Sequence, residues 1–162
     1  MKNIVYYKVF YEIGGTESYI YYLCKKYQDR DITVYYKDGD PLQIARLSKY
    51  VKVKKYEGEE IECDRAFFNY HYDIIDHVKA KEYIQVLHTD YTLQDVTFVR
   101  CPKINRYLAP TKIVAKHFTE MTGLPCEVCA NPISIDKPKK LLKLVSATRL
   151  SKEKRISVEC AS

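Results

Sequence analysis

Residues 3–20, NIVYYKVFYEIGGTESYI, predict a β-strand, a glycine turn and the start of an α-helix. Residues 4–10 are mostly apolar and rich in β-branched and aromatic side chains, which is typical of a strand buried on both faces of a parallel sheet. Gly14 and Gly15 then allow a tight turn and a close approach of the backbone to a ligand. The apolar side chains that follow recur at helical spacing, so the helix is predicted to end near Asp29.

The start of this helix has the chemistry of a phosphate site. Thr16 is predicted as its N-cap, and Glu17 adds a carboxylate to the first turn. Such a helix start presents free N–H groups and the positive end of the helix dipole, and both attract a phosphate. Gly14 and Gly15 are adjacent and the dinucleotide pattern G-x-G-x-x-G is absent, which argues against an NAD-dependent oxidoreductase. An ordinary strand-to-helix turn is the alternative interpretation.

The rest of the chain alternates strand-like and helix-like segments. The strands are predicted at 32–36, 51–53, 66–70, 83–87, 106–109 and 126–129. The helices are predicted at 42–47, as a single turn near 74–78, and after Thr111 up to Gly123. The apolar face of the last helix is predicted to consist of Ile113, Val114, Phe118 and Met121. This alternation predicts an α/β fold, a Rossmann-like three-layer domain with a mostly parallel sheet.

Length and charge suggest how the chain is divided. Residues 1–136 are predicted to form one Rossmann-like domain. Residues 137–162 are predicted to be a linker, the strand 141–147 and the following loop of a second domain that the chain truncates. The net charge is +6, and the whole excess of basic residues lies after residue 136. A chain-wide surface for nucleic acid is therefore not predicted.

Cysteine usage and hydropathy favour a cytoplasmic protein. The six cysteines are scattered and no signal peptide precedes them, which is typical of free thiols in a reducing compartment. Cys126 and Cys129 form a single C-x-x-C without a second pair, so neither a metal site nor a cofactor is predicted. No run of 18 apolar residues is present, and no membrane span is predicted.

Four motifs, in order along the chain, carry a resemblance to a known family. They are GGTE at 14–17, VLHT at 86–89, LAPT at 108–111 followed by Asn131-Pro132, and TRLSKEK at 148–154. Together they resemble the N-terminal half of a GT-B glycosyltransferase of family 4, whose members are retaining enzymes that use nucleotide sugars. The resemblance covers nearly all of this chain and about half of a complete enzyme.

The resemblance implies roles for specific residues on the donor side. His88 is expected to act at the reaction centre or to contact the donor sugar. Arg149 and Lys154 are expected to grip the donor diphosphate, which gains negative charge as it leaves. Backbone N–H groups of the turn at 14–16 (Gly14, Gly15 and Thr16) are expected to face this diphosphate from the other side of a cleft.

A second group of residues is expected on the acceptor side. Its members follow predicted strands or the glycine turn, and they are Glu17, His71, Thr89, Asp90 and Tyr91. Asp90 is a candidate base, although retaining enzymes of this kind often lack an obvious one. The two remaining histidines, His77 and His117, are predicted to be surface or packing residues.

The expected function is transfer of a sugar from a nucleotide-sugar donor to an acceptor hydroxyl, in polysaccharide, glycolipid or cell-envelope glycan synthesis. The expected partners are the nucleotide sugar, a carbohydrate or lipid-linked acceptor and the missing C-terminal domain. Peripheral contact with the inner face of a membrane stays open. Two alternatives also stay open, namely a non-catalytic module that binds nucleotide sugars and another Rossmann-like nucleotide-sugar enzyme.

Overall fold

The computed structural model describes residues 1–11, 13–93 and 97–132. The predicted strand at 141–147 and the candidate residues Arg149 and Lys154 lie outside the described residues, as do the predicted linker and the boundary at residue 136.

The described residues form a seven-stranded parallel sheet, a separate two-stranded sheet and three α-helices. The strands are β1 (Asn3–Tyr7), β2 (Val9–Phe10), β3 (Ile32–Tyr36), β4 (Asp38–Gly39), β5 (Lys52–Lys55), β6 (Ile61–Asn69), β7 (Val78–Val86), β8 (Arg106–Ala109) and β9 (Glu127–Val128). The helices are α1 (Gly15–Lys26), α2 (Pro41–Ser48) and α3 (Lys112–Thr122), and a 3-10 helix spans Ile75–His77. Strands β2 and β4 pair with each other, and the other seven form the large sheet.

The order of strands in the large sheet is β5-β3-β1-β6-β7-β8-β9. From β1 the chain builds outward to β3 and β5, and it then returns to add β6 on the other side of β1. The order therefore reverses between β1 and β6. In open parallel sheets this is the position where the crevice at the carboxyl ends of the strands binds ligands. The predicted α/β, Rossmann-like three-layer architecture is confirmed.

Apolar side chains cover both faces of the sheet. On one face, Val5 and Val34 pack with Ile20 and Cys24 of α1 and with Leu47 of α2. The side chains of a strand alternate between faces, so the neighbours of Val5 point to the other side. There, residues of β1, β6 and β8 pack against α3 and the segment before β7, and these include Ile4, Tyr6, Phe68, Ile74, Tyr107 and Phe118.

The connection between β6 and β7 is unusually short for a parallel crossover. Only residues 70–77 lead from the carboxyl end of β6 back to the amino end of β7, whereas such connections commonly need a dozen residues or more. Ile74 and Ile75 are buried within it and fasten it to the sheet. The chain reverses at Tyr70, where the His71 N–H donates to the Asn69 carbonyl at 2.7 Å.

Three local predictions are wrong. Residues 4–10 are not one strand, since the large sheet keeps Asn3–Tyr7 and the chain then turns aside to pair Val9–Phe10 with β4. Helix α1 ends at Lys26, before Asp29. The predicted apolar face of α3 is confirmed at Phe118, which is buried, and at Val114, which packs against the core. It is wrong at Ile113, which is 65% exposed, and at Met121, which is 43% exposed.

The orientation of α3 follows from a small residue. Ala115 and Phe118 are the buried side chains of this helix, and Ala115 allows it to lie close to the sheet. The predicted ends of α3 are confirmed. The Thr111 side chain accepts a hydrogen bond from the Val114 N–H at 3.2 Å, and Gly123 has a φ of 72°, the left-handed geometry that favours glycine at a helix end.

Candidate functional site

Three elements meet at the carboxyl edge of the sheet, beside the reversal of strand order. Asn69 is the last residue of β6, and His88 follows the end of β7 by two residues. Helix α1 begins near the same edge, because it follows β1 through the glycine turn. Residues from separate parts of the chain therefore come together where open α/β sheets bind ligands.

A hydrogen bond between Asn69 and His88 fixes the state of the imidazole. The Asn69 Nδ2 donates to the Tyr6 carbonyl at 3.0 Å, so its Oδ1 is left to accept. That Oδ1 lies 2.7 Å from Nε2 of His88. Because Oδ1 can only accept, Nε2 must carry a proton, and in the neutral imidazole Nδ1 then holds the lone pair.

His88 is packed between two tyrosine rings. Its ring centroid lies 5.0 Å from that of Tyr19 and 5.4 Å from that of Tyr70. Burial lowers the pKa of His88 to about 4, because an imidazolium would lose its hydration there. His88 is therefore neutral at pH 7, with an N–H held by Asn69 and a lone pair on Nδ1 that suits a hydroxyl donor.

Tyr70 has a backbone conformation that bulky residues rarely adopt. Its φ is 61°, and it is the one non-glycine residue with positive φ among those described. Such strain costs about 1–3 kcal/mol and persists where surrounding contacts hold it. Here the Tyr70 ring lies against His88, and burial raises the pKa of the Tyr70 hydroxyl. Tyr70 thus packs on one side of the histidine, and Tyr19 of α1 packs on another.

The glycine turn is organised by Glu17. Its Oε2 accepts from the Gly14 N–H at 3.1 Å, and its Oε1 accepts from the Tyr7 hydroxyl at 2.8 Å. A Cβ added to Gly14 would lie 2.7 Å from the Glu17 Oε2, so a side chain at this position requires the Glu17 carboxylate to shift. Glu17, a candidate for the acceptor side, holds the turn in place.

The N-cap of α1 is Gly14, and the prediction of Thr16 as the cap is wrong. The Glu17 carboxylate reaches back and binds the N–H of Gly14, and because glycine has no side chain, the cap residue provides no side-chain acceptor for the first N–H groups of the helix. Thr16 is buried within the first turn.

A Cβ added to Gly15 would meet no other atom within 4 Å, so the space beside this residue is open. As the first helical residue, Gly15 also has an N–H without a partner inside the helix.

Two acceptor-side candidates line one cavity. His71 and Tyr91 border a cavity of about 400 Å³ together with Tyr70 and Gln85. Burial lowers the pKa of His71, and the nearby charge of Lys8 acts in the same direction. Through Tyr70 this cavity adjoins the packing around His88.

The other two candidates are placed differently. Thr89 is 8% exposed, and its Oγ1 has no hydrogen-bond partner within the described part of the chain. Asp90 is engaged on both oxygens, since Oδ1 accepts from the Thr92 hydroxyl at 2.6 Å and Oδ2 lies 2.6 Å from Nδ1 of His117. Burial alone would raise the pKa of Asp90, but its bonds to Thr92 and His117 hold that pKa below the usual range. Asp90 is thus built to remain an ion that joins a loop to α3.

A cationic group that was not predicted from the sequence lies after β1 and β3. The Lys37 Nζ lies 2.5 Å from Oδ2 of Asp73, and the Lys8 Nζ lies 3.7 Å from the same oxygen. The Tyr6 hydroxyl donates to the other oxygen of Asp73 at 2.9 Å. Two lysines therefore share one carboxylate, which leaves a positive charge beside the reversal of strand order.

Comparisons with protein-family models, with curated proteins and with solved structures found no match. No helix in the described ranges is long and apolar enough to cross a membrane. In the same ranges, no three His, Cys, Asp or Glu side chains are grouped so that they could hold a metal ion.

The thiols of Cys126 and Cys129 form no disulfide within the described part of the chain. Burial raises the pKa of Cys126 to about 11, so this thiol is unreactive at neutral pH.

A larger depression, of about 830 Å³, lies away from these residues. It is bordered by 28–32 and 48–54, beside the amino ends of β3 and β5. None of the candidate residues within the described ranges lies in it. Because ligands of open parallel sheets bind at the carboxyl ends of the strands, the smaller cavity near Tyr70 is the better candidate.

Proposed function

We propose that this chain is the acceptor-side half of a glycosyltransferase that uses a nucleotide-sugar donor. The proposal joins two lines of support. One is the set of four motifs that resemble glycosyltransferase family 4. The other, and the observation that carries the proposal, is that α1 and His88 meet beside the reversal of strand order, where the Tyr19 ring of α1 packs against the imidazole with ring centroids 5.0 Å apart.

The geometry supports specific roles in such a transfer. The free N–H groups of Gly15 and Thr16, with the dipole of α1, would stabilise negative charge on a phosphate. Nδ1 of His88 would accept a hydrogen bond from a sugar hydroxyl, while Asn69 keeps the ring oriented. By the resemblance, Arg149 and Lys154 would bind the departing diphosphate from the other side. Fixed cations and N–H dipoles are effective there because they need not reorganise as charge develops.

Binding by the purified chain tests the proposal. UDP-, GDP- and ADP-sugars are titrated into ¹⁵N-labelled protein, and the amide signals of Gly15, Thr16 and His88 are followed. We expect weak binding of one nucleotide class that shifts these signals, and no turnover, because most donor contacts would lie outside this chain. The variant His88→Ala is expected to weaken binding of the sugar nucleotide more than that of the free nucleotide.

His77→Ala is the matched control, since His77 lies on the surface beside Glu60 at 3.2 Å, at the amino end of β7. It should bind like the unaltered chain. If none of the nucleotide sugars shifts the three amide signals, or if both histidine variants weaken binding equally, the proposed function is wrong.

A further inference from the structure

A cavity of about 400 Å³ has aromatic walls, and it adjoins His88 through Tyr70. Its lining includes Tyr70, Tyr72, Tyr91 and Phe98, and the Tyr91 and Phe98 rings pack edge to face with centroids 5.6 Å apart. The Tyr72 hydroxyl donates to the Val99 carbonyl, which fastens the segment 97–99 over the β6–β7 connection. Cavities of this size, roughly 300–1,000 Å³, are typical of sites for small molecules.

Gln85 borders this cavity, and its amide oxygen is unsatisfied among the described residues. Gln85 lies next to last in β7, in the buried end of that strand between Ile84 and Val86, and is only 2% exposed. Its Oε1 is buried and has no hydrogen-bond partner within the described ranges. Buried polar groups are nearly always paired, and an unpaired one opposes folding, so a functional reason is expected.

The lining also defines the charge of the occupant. None of the described lining residues is Lys, Arg, Asp or Glu. His71 is the remaining titratable base there, and burial lowers its pKa, so it is largely neutral at pH 7. An anionic ligand such as a phosphate would lose its hydration in this cavity without gaining a counter-charge. A neutral occupant is therefore favoured over an anion.

From these observations we infer that the cavity binds a neutral hydroxylated ring, such as a pyranose or a cyclic polyol. The C–H face of such a ring packs on the aromatic walls, and one hydroxyl pairs with the Gln85 amide. The Tyr70 side chain lies between the bound ring and His88. A hydroxyl on that side of the ring is therefore near the imidazole. The assignment of the ring as the acceptor of the transfer rests on the proposed function, whereas its binding in the cavity does not.

Saturation-transfer NMR on the intact chain tests this inference. The probes are neutral monosaccharides with their methyl glycosides, inositol, and the nucleosides uridine, guanosine and adenosine. The variant Gln85→Met keeps the shape of the side chain and removes its hydrogen bond. We expect sugar binding to weaken about tenfold or more in this variant, because the ring loses its buried partner. Without ligand, the same variant should be at least as thermally stable as the unaltered chain, since an orphan amide is removed.

Gln28→Met is the matched control, because Gln28 is exposed at the other end of the sheet. If Gln85→Met does not fold, the side-chain amide signals of Gln85 in the unaltered protein serve instead, and a bound sugar should shift them. The inference is overturned if no neutral sugar binds, if sugars bind Gln85→Met undiminished, or if nucleosides rather than sugars shift the Gln85 amide. Each of these results leaves the nucleotide-sugar titration at Gly15 and Thr16 unaffected, so the two proposals fail separately.

Discussion

Nε2 of His88 lies 2.7 Å from Oδ1 of Asn69, and this contact joins the ends of two neighbouring parallel strands. Asn69 is fully buried and also binds the carbonyl of Tyr6 in the next strand. One amide therefore connects β1, β6 and the second residue after β7. His88 is consequently fastened to the core. The orientation of its imidazole and the stability of the sheet both depend on the Asn69 side chain.

Replacement of Asn69 by leucine should show this coupling. Leucine has a similar size, but it leaves the His88 N–H and the Tyr6 carbonyl buried without partners. Each loss costs about 1–3 kcal/mol, so we expect Asn69→Leu to lower the free energy of unfolding by about 2–4 kcal/mol. Urea unfolding measures this change. Asn131→Leu, at an exposed position, is the control, and an equally small effect of both substitutions would contradict the role of Asn69.

The pH dependence of stability should report on His88. Its pKa is about 4 in the folded chain and about 6.5 when unfolded, so the unfolded chain binds the proton more readily between these values. The contribution is fully present above pH 6.5 and is lost as the pH falls through 4, and it amounts to about 3 kcal/mol at most. His88→Gln keeps an N–H for Asn69 and does not titrate.

Urea unfolding of both proteins between pH 7.5 and 4 isolates this contribution. We expect the stability of the unaltered chain to fall more steeply with acidification than that of His88→Gln. Parallel curves for the two proteins would mean that His88 titrates normally in the folded state, and its burial would then be of no electrostatic consequence.

The overall architecture could be predicted because it depends on local patterns. Apolar strands alternate with helical segments, and Thr111 and Gly123 mark the ends of α3 by chemistry that acts within a few residues. The contact between Asn69 and His88 could not be predicted in the same way. Asn69 and His88 are separated by 19 positions, and their contact depends on the register between β6 and β7.

Two sequence features could have indicated the missed residues. Asn69 ends the apolar run AFFN, and Gln85 interrupts the apolar run YIQVL, so each places an amide where an apolar side chain is expected. The strain at Tyr70 has no such local indicator. It arises because the short connection must reverse at once after β6, which only the three-dimensional path of the chain shows.

The two adjacent glycines should respond differently to alanine. At Gly14 the new Cβ would lie too close to the Glu17 Oε2, so the carboxylate must shift and its bonds to the Gly14 N–H and the Tyr7 hydroxyl are weakened. We expect Gly14→Ala to lose about 1–2 kcal/mol of stability, as removal of a helix cap does. Gly15 has open space, and alanine there should be neutral or stabilise by about 0.4–1 kcal/mol.

Thermal and urea unfolding distinguish the two variants, and nucleotide-sugar titration adds a second comparison. If the backbone at Gly15 approaches a phosphate, Gly15→Ala should weaken binding although it does not reduce stability. Equal destabilisation by both substitutions would show that Glu17 does not hold the turn as described.

Asp90 and His117 should contribute to stability as a pair. The carboxylate bridges the loop after β7 and α3 through His117, and it also accepts from the Thr92 N–H at 3.0 Å. A double-mutant cycle with Asp90→Asn and His117→Ala should give a coupling free energy of about 0.5–3 kcal/mol, which urea unfolding measures at a fixed pH. A coupling near zero would make the pair a surface contact, and Asp90 would again be available as a base.

The strain at Tyr70 predicts an inverted preference between glycine and alanine. Both Tyr70→Gly and Tyr70→Ala remove the ring that lies against His88, but only glycine adopts a φ of 61° without cost. An L-residue in this region costs about 1–2 kcal/mol, so Tyr70→Gly should be the more stable variant by about 1 kcal/mol, whereas the order at an ordinary position such as Ala45 of α2 is the reverse.

In both variants water should reach the imidazole, and the pKa of His88 should rise from about 4 towards its ordinary value. Urea unfolding and NMR titration of His88 measure the two effects, and an alanine variant as stable as the glycine variant would show that the chain relaxes there and stores no strain.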